Sequence, residues 1–117
     1  MVRYVALLRR RPGTSREEFL QSWLGHHRSL AGQLPGLVRL EFMPTLHDDA
    51  TDGTFDGMGY LDFPDRRTMD AALASQQAKA LRAHTQTFAD SGSAVRLVVQ
   101  VPPRGAGFRD SQTTNGS

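Results

Sequence analysis

Four short β-type runs are each opened or closed by proline, and that pattern of breaks limits the fold more than any other feature of the chain. Residues 2–9 (VRYVALLR) are stopped by Arg11-Pro12-Gly13. Residues 37–43 (LVRLEFM) follow Leu34-Pro35-Gly36. Residues 56–63 (DGMGYLDF) end at Pro64-Asp65, and residues 95–101 (VRLVVQV) end at Pro102-Pro103. Proline has no N–H for a β ladder and fixes φ, so none of these runs can merge with its neighbour. The two long intervals between them carry helical signals. Thr14-Ser15 opens the first, and Ser15 followed by Glu18 is a capping box in which each side chain satisfies the other residue's orphan N–H. This helix is expected to run to about residue 31. The second is expected over 66–88, with Ala74-Ser75-Gln76 interrupting it because serine is only a modest helix former.

The resulting order, β-α-β-β-α-β, is that of the ferredoxin-like split βαβ: an antiparallel sheet with both helices on one face, an α+β fold. Strand alternation assigns the faces. Val38/Leu40/Phe42, Leu61/Phe63 and Leu97/Val99/Val101 are expected to face the helices. Arg39/Glu41, Met58/Tyr60/Asp62 and Arg96/Val98/Gln100 are expected on the other side. That mixed outer face suits either water or a second sheet, and periodicity leaves both open.

Composition bounds the function classes. The length of 117 residues is that of one domain, expected over 1–101, with a Gly-, Ser- and Thr-rich tail over 102–117 expected to be disordered. No apolar run is long enough to span a bilayer, and no basic region followed by an apolar stretch opens the chain, so a cytoplasmic protein without membrane contact is expected. The absence of cysteine excludes disulfides, thiolate catalysis and cysteine-ligated metal. Thirteen of the 14 basic residues are arginine, but the net charge is only +2 and, apart from Arg9-Arg10-Arg11, they are scattered, which argues against a nucleic-acid partner. There is no GxGxxG, Walker or GxSxG pattern, so nucleotide cofactors and serine hydrolysis have no support.

Chemistry centres on histidine. On the first helix Phe19, Leu20, Trp23, Leu24, Leu30, Ala31 and Leu34 share one arc, with His27 near its middle and His26 at its edge. On the second, Met69, Leu73, Ala80, Leu81 and Phe88 form a stripe containing His84. Two histidines then face one helix–sheet space, as a base and acid or as a structural pair. A core histidine merely satisfied by a hydrogen bond is the alternative for His27. Adjacent His26 and His27 diverge too far on a helix to chelate one ion, and no metal or cofactor is expected. Trp23, Phe42 and Phe88 would supply apolar walls. His26, Tyr60 and Asp62 are further substrate-contact candidates, although the structural reading of Asp62, half of an ion pair with Arg39 or Arg96, outweighs the catalytic one. His47-Asp48-Asp49 lies in a polar loop.

The stretch Leu8 to Leu37 (LRRRPGTSREEFLQSWLGHHRSLAGQLPGL) resembles the opening of EthD-like proteins, through Pro12-Gly13, Ser15/Glu17/Glu18/Phe19, Trp23, His27 and Leu34-Pro35-Gly36. Phe55-Asp56-Gly57, Ala74-Ser75 and Phe88-Ala89-Asp90 extend the likeness over about residues 4–101. The resemblance implies a homodimer, a dimeric α+β barrel with a pocket between helices and sheet in each protomer, and it matches the family's histidine to His27. Relatives include a methylmuconolactone isomerase, proteins of ether degradation, and decarboxylases or dehydratases of aromatic polyketide pathways. Cofactor-independent monooxygenases and polyketide cyclases belong to a related superfamily. The chain departs from the family pattern at His84, where relatives often carry an acid, and at Tyr60-Leu61-Asp62-Phe63, where many carry E-L-W-F. The expectation is therefore a cofactor-independent acid–base enzyme (dehydratase, isomerase or cyclase) acting on a hydrophobic oxygenated ring compound of aromatic polyketide or aromatic-catabolite metabolism. A cofactor-independent monooxygenase using O2 and a non-catalytic small-molecule-binding protein are the alternatives.

Overall fold

The computed structural model describes residues 1–46 and 55–103; the His47-Asp48-Asp49 stretch and the tail from residue 104 lie outside the described residues. The elements are β1 (Val2–Leu8), α1 (Arg16–Ser22), a π-helical turn (Trp23–His27), α2 (Arg28–Ala31), β2 (Arg39–Pro44), β3 (Gly57–Phe63), α3 (Arg66–Leu73), α4 (Gln76–Phe88), a 3-10 turn (Ser91–Ser93) and β4 (Val95–Gln100). The four strands form one antiparallel sheet in the order β2-β3-β1-β4. This is the ferredoxin-like α+β fold, as the break pattern predicts. No described helix is long and apolar enough to cross a membrane.

Local chemistry accounts for the ends. Ser15 and Glu18 form the expected capping box, with the Glu18 N–H donating to Ser15 Oγ at 3.1 Å and the Ser15 N–H to Glu18 Oε1 at 3.0 Å. Asp65 caps α3 through the Thr68 N–H, and Ser75 caps α4 through the Ala78 N–H, which is why the second helix breaks at Ala74-Ser75. Each such cap is worth about 1 kcal/mol. Both Pro-Gly pairs make the same turn. Thr14 N–H donates to Arg11 and Leu37 N–H to Leu34, with Gly13 and Gly36 in the left-handed region that a type II turn needs after proline.

Between helices and sheet the core has two ends. One is aliphatic, built on Ala31, Leu34, Leu61, Phe63, Met69, Ala72 and Ala78. The other is aromatic, built on Leu8, Phe19, Trp23 and Phe88. The large side chains Phe19, Trp23, Phe63, Met69 and Phe88 are fully buried, each contributing about 1.5–3 kcal/mol.

Four face assignments need correction. Residues opposite each other in an antiparallel ladder share a face. Arg96, Val98 and Gln100 lie opposite Ala6, Tyr4 and Val2, which in turn lie opposite Gly59, Leu61 and Phe63 on the helix side. So Arg96, Val98 and Gln100 face the helices, and Val95, Leu97 and Val99 face outward, the reverse of the expectation. Val38 precedes β2 and is exposed rather than buried. Ala80 is exposed and Ala78 buried, because the break at Ala74-Ser75 restarts the helical phase. Leu24 is exposed because it sits in the wider π-helical turn.

Candidate active site

A cavity of about 470 Å³ lies between the helices and the helix-facing side of the sheet, a size that suits a small organic molecule. Small residues create the space: Ala6 and Gly59 on the sheet, Ala31 and Ala78 on the helices. Trp23 and Phe42 form a flat wall, with rings stacked at 4.9 Å and 8° apart. The indole lies so close to β3 that a Cβ on Gly57 would come within 2.3 Å of Trp23 Cζ3. Gly57 is thus the ledge on which Trp23 rests.

His27 lines this cavity and is 6% exposed. Its ring is held between Phe42 and Phe88, at centroid distances of 6.0 and 5.0 Å. Its Nδ1 lies 3.1 Å from Nδ1 of His84 on α4. One of these nitrogens must donate and the other accept, so the two rings hold opposite tautomers. Each ring keeps its Nε2 without a hydrogen-bond partner among the described residues, and no described polar side-chain atom is both buried and unpartnered. His27 is therefore able to offer Nε2 to a ligand while His84 fixes its ring. Burial, with the nearby His84 and His26 adding repulsion, lowers the His27 pKa to about 4. Burial and His26 also lower that of His84. Both rings are neutral at neutral pH, the state a general base needs.

The π-helical turn sets up this contact. Phe19, Trp23, His27 and Ala31 are the buried residues from Arg16 to Ala31, spaced four apart. A regular α-helix rotates such a series by about 40° at each step. The wider turn at Trp23–His27 absorbs part of that drift and keeps Trp23 and His27 over the cavity, a recurrent use of π-helical turns.

The expected site residues divide. His27, Trp23 and Phe42 meet at the cavity. His84 sits behind His27, away from the cavity wall, and Phe88 packs on both imidazoles. His26 is exposed, its ring edge-on to His84 at 4.7 Å. Tyr60 and Asp62 are a correction: their register places them on the outer sheet face, away from His27. The partner of Asp62 is also corrected. Arg3 lies opposite it on β1, donating at 2.7 and 3.0 Å and covering the Tyr60 ring at 3.7 Å, while Arg39 pairs with Glu41 and Arg96 faces the helices. Sequence reasoning missed Tyr4, Thr85 and Arg96 as cavity residues. Correct β4 parity would have revealed Arg96. It also missed Asp56 as the clamp just before β3, where its buried carboxylate accepts from the Arg10 N–H at 2.8 Å and Arg16 Nη1 at 3.0 Å. Among the described residues no cluster of three or more ligand-type side chains could hold a metal ion.

A four-stranded antiparallel sheet with its helices on one face, and a cavity between them walled by Trp23 and His27, defines the class as ferredoxin-like α+β. Within it the chain belongs to the EthD family: the EthD domain model matches residues 11–92. No curated protein matches the sequence. Among solved structures, an ethyl tert-butyl ether D (EthD) family protein of Bacillus halodurans superposes with a TM-score of 0.72 at 17% identity, covering 87% of this chain and 100% of that one. A dimeric ferredoxin-like protein of unknown function from Bacteroides fragilis gives 0.66 at 11% identity, covering 86% and 95%. SnoaB, a cofactor-independent oxygenase of Streptomyces nogalater, gives 0.63 at 13% identity, covering 91% and 97%. At these identities the likeness is one of fold.

Proposed function

We propose that this chain is a cofactor-independent acid–base enzyme, a dehydratase, isomerase or cyclase, acting on a hydrophobic oxygenated ring compound of aromatic polyketide or aromatic-catabolite metabolism. The observation that carries this reading is His27: a neutral imidazole on an apolar cavity wall, oriented by one hydrogen bond and with Nε2 unpartnered among the described residues. In the mechanism, Nε2 of His27 takes a proton from an activated carbon or phenol of the substrate. The imidazolium so formed donates through Nδ1–H to Nδ1 of His84, which spreads the charge toward the exposed His26 side. The stacked Trp23 and Phe42 rings hold the substrate ring and exclude water, which strengthens each electrostatic contact. The enolate or phenolate then expels hydroxide, which leaves as water with the proton held on His27, or takes that proton back at another carbon to shift its double bond, or attacks a carbonyl to close a ring, the proton passing to the new alkoxide.

The same reading includes a homodimer formed through the outer sheet face. Val95, Leu97 and Val99 there are each more than a third exposed, and the B. fragilis relative of the same fold is described as dimeric. A second reading, a monooxygenase that needs no cofactor, draws support from the fold shared with the S. nogalater oxygenase. There the same proton removal would yield an electron-rich phenolate that reacts with O2.

The test is deletion of the gene in its host, complemented with wild type or His27→Ala, with accumulated compounds read by mass spectrometry. Loss of a general base is expected to cut product formation about 100-fold or more. A compound heavier than the product by one water marks a dehydratase, and equal mass marks an isomerase or cyclase. A compound with one oxygen fewer marks the oxygenase. Full restoration by His27→Ala would make the protein a binder with a core histidine.

A further inference from the structure

The cavity is asymmetric in charge. Among the described residues its only charged side chains are Arg82 and Arg96, and no aspartate or glutamate lines it. Arg82 is tethered, its Nη1 donating to the Leu73 carbonyl at 2.9 Å. Five of the described arginines lie in ion pairs: Arg3 with Asp62, Arg10 and Arg16 with Asp56, Arg39 with Glu41, Arg66 with Asp70. Arg96 has none among the described residues. It stands on the helix-facing side of β4 opposite Ala6 and is an exposed residue at the cavity lining. Tyr4 also lines the cavity and lies opposite Val98, which makes it the diagonal neighbour of Arg96 across the β1–β4 ladder, within reach of a long side chain. Its hydroxyl likewise has no partner among the described residues.

The geometry points to a subsite for an anionic oxygen group formed by Arg96 and Tyr4, so that the cavity selects ring compounds carrying a delocalised oxyanion such as a carboxylate. This rests on the reading of the cavity as the substrate site. The apolar ring lies against Trp23 and Phe42 while the anion meets the guanidinium and phenol on the β1–β4 side. A guanidinium donates two parallel N–H groups to such an anion, and the phenol adds a third donor.

Calorimetric titration of the purified protein with 1-naphthoate and with its neutral isostere 1-naphthamide tests this. The acid is expected to bind about tenfold more tightly than the amide, the value of one charged hydrogen bond at a partly exposed site. Arg96→Gln should erase that preference, weakening the acid by more than it weakens the amide. Tyr4→Phe should reduce it, and Arg82→Gln should retain it. Equal binding of acid and amide by wild type would overturn the oxyanion subsite and leave the cavity reading standing. A preference that survives both Arg96→Gln and Tyr4→Phe would overturn the assignment to these residues. Absence of binding by either probe at millimolar concentration would overturn the cavity reading and the subsite with it.

Discussion

The two faces of the sheet solve the burial of polar groups in opposite ways. On the outer face, Asp62 is buried and charged, and it is matched by Arg3, which lies directly across the ladder and forms a two-pronged ion pair under the Tyr60 ring. On the helix side, His27 is buried and uncharged, matched by a second imidazole. A matched ion pair is fixed in charge and rigid in geometry, which suits a surface to be covered. A neutral histidine pair can change its protonation without breaking its contacts, which suits chemistry. The comparison separates residues that the sequence groups together. Tyr60 and Asp62 belong to the architecture of the outer face, and His27, Trp23 and Phe42 belong to the cavity.

The sharpest way to break this division is Asp62→Ala. With the Asp62 side chain 3% exposed and Arg3 30% exposed, removing the carboxylate strands a partly buried guanidinium. A loss of about 3 kcal/mol is expected in urea unfolding, with the affinity of cavity ligands unchanged; a parallel loss of ligand binding would show that the faces are not independent. Acid titration probes the inner face. His27 is protonated near pH 4 in the folded chain against about 6.5 ordinarily, so the unfolded chain binds more protons between those values. Stability present above pH 6.5 is therefore lost as pH falls toward 4, by up to about 3 kcal/mol from this one group. His27→Leu should flatten that part of the profile relative to wild type, while Asp62→Ala should not. The smallest effect concerns the ledge under Trp23. Gly57→Ala forces the indole or the strand to move and should cost about 1–3 kcal/mol, with a changed near-ultraviolet signal from this single tryptophan. Gly25→Ala, where an added Cβ meets nothing within 4 Å, is the control expected to cost nothing.

What was legible followed from chemistry that is local. Proline positions, the Ser15–Glu18 box and the Ala74-Ser75 break gave the element order because each acts through its own few residues. The family landmarks at Trp23 and His27 fall on the cavity wall. β4 reads the opposite way in the sequence because its apolar parity, Val95, Leu97 and Val99, faces outward, while the parity toward the helices carries Arg96, Val98 and Gln100, and every residue of this edge strand is exposed. Only pairing to β1 settles its side, and alternation alone therefore puts Arg96 on the outer face. The Arg3–Asp62 pair was hidden by the same limit, since ladder partners are set by register across the whole chain. The π-helical turn left one readable trace, the four-residue spacing of Phe19, Trp23, His27 and Ala31.

Because the contact between His27 and His84 uses Nδ1 of both rings, it leaves Nε2 of His27 as the atom that would carry an isotope label. Under the proposed mechanism a proton or deuteron taken from substrate rests on Nε2 of His27, while Nδ1 stays engaged with His84. A reaction that hands the label back from Nε2 to the same molecule would carry a substrate deuterium into product. A reaction that releases it from Nε2 to water before the next cycle would wash the label out. Retention or loss of substrate deuterium would thus report how long Nε2 of His27 stays shielded from water.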